Sequence, residues 1–143
     1  MPEDQRVMYS AIASIRDNEV TRRWTRTQFF FAVHSGALSI VSSQLEITSF
    51  LFGASSFGGM FLAMLWLNAT DLGNRWVRFW SECLAALEQV QVQPVKVFSS
   101  TSLDQMMLGV TFYHITVLLA TTFLIVWGAM FVYSLTTFLS TLQ

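Results

Sequence analysis

Residues 105–143 read QMMLGVTFYHITVLLATTFLIVWGAMFVYSLTTFLSTLQ and contain no Asp, Glu, Lys or Arg. The hydrocarbon core of a bilayer is about 30 Å thick and takes about 20 helical residues to cross. The stretch exceeds that length, which predicts a membrane-spanning helix that starts in the interface, tilts, or projects beyond the far side. Two more uncharged windows lie upstream. Thr27 to Leu45 is bounded by Arg26 and Glu46, and Ile47 to Thr70 by Glu46 and Asp71. The expected fold is all-α, an integral membrane protein of three transmembrane helices plus amphipathic N-terminal and juxtamembrane helices. Residues 1–143 are expected to form a single membrane domain, with spans at about 24–44, 47–69 and 106–138.

Composition agrees. Hydrophobic residues make up 53% of the chain and charged residues only 12%, against about 25% charged in soluble domains. So apolar a chain cannot cover its surface with polar groups, and a second, apolar solvent is implied. The net charge of −1 gives no case for nucleic acid. Cys83 is the only cysteine, which excludes an intrachain disulfide and a Cys-based zinc site. No cleavable signal peptide is expected, because the first apolar run begins only near Trp24.

Orientation follows from Lys and Arg. Arg6, Arg16, Arg22, Arg23 and Arg26 precede the first span, and Arg75, Arg78 and Lys96 lie between the second and third. All eight basic residues therefore fall on one side of a three-span chain, and the positive-inside rule makes that side cytoplasmic. This places the N-terminus in the cytoplasm and the C-terminus outside, in a bacterial inner membrane. The sequon Asn68-Ala69-Thr70 lies at the cytoplasmic end of the second span and carries no glycan on this reading.

Two polar-flanked stretches are amphipathic. In residues 3–23, Met8, Ile12 and Ile15 recur at helical spacing. This helix runs directly into the first span or bends at the surface. Within the 71–104 cytoplasmic loop, Trp76, Trp80, Cys83, Leu84 and Leu87 form one stripe over about 74–89, with Arg78 and Glu82 paired on another face. This helix is expected to lie on the membrane surface, separated from the second span by Gly73. Val90 to Val97 alternates with period two and contains Pro94, which suits an extended segment. Ser102 is placed to cap the third helix.

Candidate functional residues sit in and beside the spans. Ala32 and Gly36, the row Ser35, Ser39 and Ser43, the pair Ala54 and Gly58, and the row Ser55, Gly59 and Ala63 are each spaced by four. Small residues at this spacing let helix backbones approach closely, within one protomer or between copies or partner proteins. His34 lies eight residues beyond Arg26 and His114 ten beyond Asp104, about 12 Å and 15 Å along a helix. Imidazoles at similar depth are candidates for axial ligands of a haem b, for a proton path, or for interhelical hydrogen bonds. The cluster Arg22, Arg23, Trp24 and Arg26 reads as an interface anchor that contacts membrane lipids. Catalytic patterns are absent: no Gly-rich phosphate loop, no paired-His zinc motif, and no Ser or Cys nucleophile with a base. The spans carry no Asp or Glu, which disfavours proton pumping or cation-coupled transport.

Two stretches carry a resemblance: Arg23-Trp24-Thr25-Arg26 leading into Phe29-Phe30-Phe31, and Leu65-Trp66 followed by Arg75-Trp76, Phe79-Trp80, Leu84 and Leu87-Glu88. Residues 20–90 resemble a group of small, largely uncharacterised bacterial inner-membrane proteins with a Trp/Arg-marked first span and a Trp-rich juxtamembrane helix. Some of these accompany phage-defence or stress-response genes, and most carry one more span than is counted here. The resemblance implies a bacterial membrane location. Length, span count and histidines also fit the anchor subunits of succinate dehydrogenase, but Val33-His34-Ser35-Gly36 lacks that family's His-Arg-x-Ser/Thr-Gly pattern. The expected function is a non-enzymatic membrane component that oligomerises or joins a larger membrane assembly, a pore-forming or membrane-perturbing effector being one version. The alternative is a haem- or quinone-binding anchor of an electron-transfer complex.

Overall fold

A computed structural model of the chain describes residues 3–44, 50–90 and 109–141. The described residues form three helices: α1 (Glu3–Gln44), α2 (Phe50–Val90) and α3 (Gly109–Ser140). Glu3 and Asp4 stand in the first turn of α1, where carboxylates complement the helix dipole. The expected extended segment after Val90 and the cap at Ser102 lie outside the described residues.

Two features bear on the expected spans. First, α1 and α2 are each about 60 Å long, roughly twice the hydrocarbon core. The amphipathic 3–23 stretch runs straight into the first uncharged window. The Trp-bearing 74–89 stretch continues α2 through Gly73 without a break. A lone glycine costs a helix only about 1 kcal/mol relative to Ala, and Gly73 is buried, where its lack of a side chain permits close packing. Second, among the described residues two helices are long and apolar enough to cross a membrane by length and composition, over Phe50–Leu87 and Phe112–Ser140. The uncharged part of α1 misses that standard because Gln28, His34 and the four serines from Ser35 to Ser43 dilute its apolar residues.

The helices contribute to two compact units, Met1–Thr25 with Thr70–Ile115, and Arg26–Ala69 with Thr116–Gln143. In the second unit the inward positions of every helix are spaced alternately by three and four. They are Thr27, Phe30, His34, Ala37 and Val41 on α1, Phe52, Ser56, Gly59, Ala63 and Trp66 on α2, and Thr116, Ala120, Phe123, Trp127, Met130 and Ser134 on α3. That 3.5-residue repeat is the seam of coiled-coil packing. Val41, Phe52 and Trp127 form its buried apolar cluster, with Ala37, Leu38, Met60, Phe123 and Met130 against it.

Polarity in this unit runs opposite to that of a soluble bundle. His34, Ser56, Thr116 and Ser134 are buried, while Phe29, Phe31, Ile40, Phe57, Phe61, Leu118, Ile125 and Val132 are exposed. Water would penalise that surface and lipid does not. In lipid, apolar burial itself drives little, so close packing and internal hydrogen bonds hold such helices together.

In the first unit, Leu84 is fully buried. Arg16 Nε donates to Ser81 Oγ at 3.1 Å, joining α1 to α2. The Arg23 guanidinium lies 5.7 Å from the ring centroid of Phe112, and Trp24 packs on the same ring at 5.3 Å.

Candidate functional site

The most built feature of the second unit surrounds His34, which has no exposed surface. Trp127 Nε1 donates to His34 Nδ1 at 3.0 Å, linking α3 to α1. Phe123 stacks on the imidazole with ring centroids 4.8 Å apart, and Trp66 of α2 stacks at 5.7 Å. Phe30 lies nearly parallel to Trp66 at 5.7 Å. The four ring-bearing positions Phe30, His34, Phe123 and Trp127 are neighbours along their seams, so the 3.5-residue spacing assembles the cluster.

Gly59 makes the Trp127 bond possible. A Cβ at Gly59 would fall within the van der Waals envelope of the Trp127 indole. Only a glycine lets that ring lie flat on α2 and still reach His34. Gly53 meets Ser134 in a milder way, with 3.1 Å from a built Cβ to Oγ. Gly36, Gly58 and Gly128 have nothing within 4 Å of a built Cβ.

The small-residue rows are thereby sorted. Ser55, Gly59 and Ala63 turn toward the bundle, with Ala63 and Gly59 buried and Ser55 half-buried. Ala32, Ser35, Gly36, Ser39, Ser43, Ala54 and Gly58 are exposed. The Ser43 hydroxyl bonds back to the Ser39 carbonyl at 2.7 Å.

The hydrogen-bond polarity at His34 bears on ligation. An indole N–H only donates, so Nδ1 must be the acceptor, and the ring is the neutral tautomer with its proton on Nε2. An axial or metal-bound histidine has the opposite arrangement, donating from the nitrogen that does not bind the metal. While the Trp127 bond holds, His34 has no lone pair left for iron. His114 belongs to the first unit, is exposed, and meets Tyr113 edge-on at 5.6 Å. Among the described residues no group of three or more His, Cys, Asp or Glu is placed to hold a metal ion.

The first unit carries the remaining candidates. Arg22 and Trp24 are exposed, Arg26, which opens the second unit, is half-buried, and Arg23 is buried. Trp76 is 48% exposed, Trp80 and Leu87 are half-buried, and Leu84 is buried. Trp76, Phe79 and Trp80 contact one another, Trp76 and Trp80 stacking at 6.3 Å. Asp71 and Arg75 form an exposed ion pair at 2.8 Å.

Sequence reasoning singled out His34 and Gly59 but missed Trp127, the residue that joins them. A signal existed. Tryptophan in membrane proteins gathers at the interfaces, and Trp127 stands in the middle of the last uncharged stretch.

A family model described as "Octameric membrane protein family (8xMP)" matches residues 8–136, most of the chain. No curated protein and no solved structure gives a significant match.

Proposed function

Because the chain belongs to the octameric membrane protein family, we propose that it is a non-enzymatic bacterial inner-membrane protein whose eight copies assemble through the faces that its open glycines leave free. All three helices cross the bilayer on this reading, with the N-terminus in the cytoplasm in keeping with the placement of the basic residues. The exposed Phe29, Phe31 and Ile40 support a membrane position for the second half of α1 despite its serines. The likeness to Trp/Arg-marked inner-membrane proteins supports the same setting.

The carrying observation is the division among the glycines. Gly59 and Gly53 serve contacts inside the protomer, whereas Gly36 and Gly58 do not. Gly36 and Gly58 sit in exposed small-residue rows, Ala32 with Ser35, Gly36 and Ser39 on α1, and Ala54 with Gly58 on α2. Such rows drive helix association in lipid. A cyclic assembly joins two unlike faces of the protomer, and α1 and α2 supply one each.

The test is native mass spectrometry of the protein released from nanodiscs. Gly36→Leu and Gly58→Leu should shift octamer toward smaller species while helical content stays unchanged. Gly59→Leu should lose the protomer's fold as well. Octamer of unchanged abundance in both open-glycine variants would remove the proposed faces. A monomer in the unaltered protein at every protein-to-lipid ratio would remove the reading itself.

One observation favours a pore as the work of the assembly. Gln28, Ala32, Ser35, Ser39 and Ser42 follow one another on α1 at spacings of four and three, and all are exposed. Hydrocarbon is a poor solvent for that face, so it turns toward another copy or a polar lumen. Release of a small dye from vesicles, abolished by Ser42→Leu with the octamer intact, would support the lumen. Vesicles that stay tight with octamer present would exclude it.

A further inference from the structure

Two side chains in the second unit keep buried N–H groups with no hydrogen-bond partner among the described residues: His34 through Nε2 and Trp66 through Nε1. His34 is 0% and Trp66 1% exposed, and their rings face each other at 23° with centroids 5.7 Å apart. The Trp127 bond to Nδ1 fixes the first of these atoms as a donor. The indole nitrogen is a donor by nature. The pair therefore presents donors only, and any occupant must be an acceptor.

We propose that the core around His34 holds internal water, which accepts hydrogen bonds from His34 Nε2–H and Trp66 Nε1–H. The alternatives fail on physical grounds. A cation is repelled by two N–H dipoles. A bare anion loses hydration worth many times what two neutral donors return, and no arginine or lysine lies among the inward positions of this unit. A lipid carbonyl or a side chain of a second copy does not reach atoms with so little exposed surface unless the bundle opens. Water is neutral, small, and costs at most about 2 kcal/mol to immobilise, less than leaving two donors unmet in a membrane interior. The water then completes a polar link across all three helices: Trp127 of α3 to His34 of α1, and His34 through water to Trp66 of α2.

Solid-state NMR on the full chain in lipid, with 15N-labelled Trp and His, reads each part. The Trp66 signal is identified as the one lost in Trp66→Phe. Magnetisation transfer from water should reach both the Trp66 indole proton and the His34 Nε2 proton, and the imidazole shifts should show Nδ1 unprotonated. In Trp66→Phe the water transfer to His34 should persist or weaken, with the tautomer unchanged. Indole and imidazole protons at hydrogen-bonded shifts without transfer from water would assign the acceptor to a protein group and overturn the proposal. Unbonded shifts would overturn it too, as would a protonated Nδ1. None of these readouts depends on the number of copies, so they stand or fall separately from the octamer.

Discussion

Gly58 and Gly59 are adjacent, and their surroundings could hardly differ more. A methyl group at Gly59 meets the Trp127 indole, whereas one at Gly58 meets nothing within 4 Å. Gly59→Ala should therefore lower the protomer's stability by about 1–3 kcal/mol, the usual cost of overpacking. Gly58→Ala should change it by less than about 1 kcal/mol, toward greater stability, because Ala is the better helix former. Detergent-denaturation titrations of the two variants in bicelles would measure both. Trp127→Phe keeps the ring and deletes the donor to His34. Interhelical hydrogen bonds in membranes average about 0.6 kcal/mol and reach about 1.7, so a loss of about 1–2 kcal/mol is expected there, at the upper end because Nδ1 would be left buried and unpaired. At this scale the sequence was partly legible. An ionisable residue in a span drew attention to His34, and the spacing of small residues drew it to Gly59. Which glycines face inward was not legible, since helix rotation is decided by a partner surface that the row itself does not name.

Among the elements, the three helices were readable from the charge gaps, because hydrocarbon admits uncharged helices and little else. The inward seams were not. They mix Thr, Ser, Gly, Ala and His with Phe, Val, Met and Trp at a 3.5-residue spacing, and because the outer faces are apolar too, a search for apolar periodicity does not single them out. In lipid the seam is marked by the small and polar residues that stand among its aromatics, while many further large apolar residues point outward. The break expected at Gly73 fails for a related reason: a glycine's cost is small beside the packing that a buried position offers. On the Trp-bearing half of α2, Leu84 is fully buried while Arg78 is exposed. Leu84→Glu should open the first unit and speed proteolytic nicking after α2, because an unpaired carboxylate in that site costs several kcal/mol. Arg78→Glu should leave nicking almost unchanged, since exposed charges contribute about 0–1 kcal/mol. Equal nicking in both variants would mean that this half of α2 packs on another face.

For the molecule as a whole, self-association was expected from the rows of small residues, and membership of an octameric membrane protein family agrees with it. The family's number eight was beyond the sequence, because copy number depends on the angle between two faces and not on their composition. Topology is tested by labelling whole cells: a cysteine at Ser43, exposed near the end of α1, should react with an impermeant thiol reagent from outside. Native Cys83, half-buried, should react only once the membrane is opened. The reverse pattern would overturn the orientation drawn from the basic residues.

The contrast between two neighbouring glycines also sets how this chain can drift. A change at Gly59 is compensated only within the same polypeptide, by trimming Trp127, so the pair is inherited as one unit. In the proposed assembly, a change at Gly58 meets its correction on the surface of a different copy, encoded by the same gene but reached across an interface. If eight copies assemble as proposed, every such correction is made eight times over in one assembly. Mixed assemblies of old and new sequence should therefore tolerate altered Gly59–Trp127 pairs side by side, while rejecting unmatched partners at Gly58.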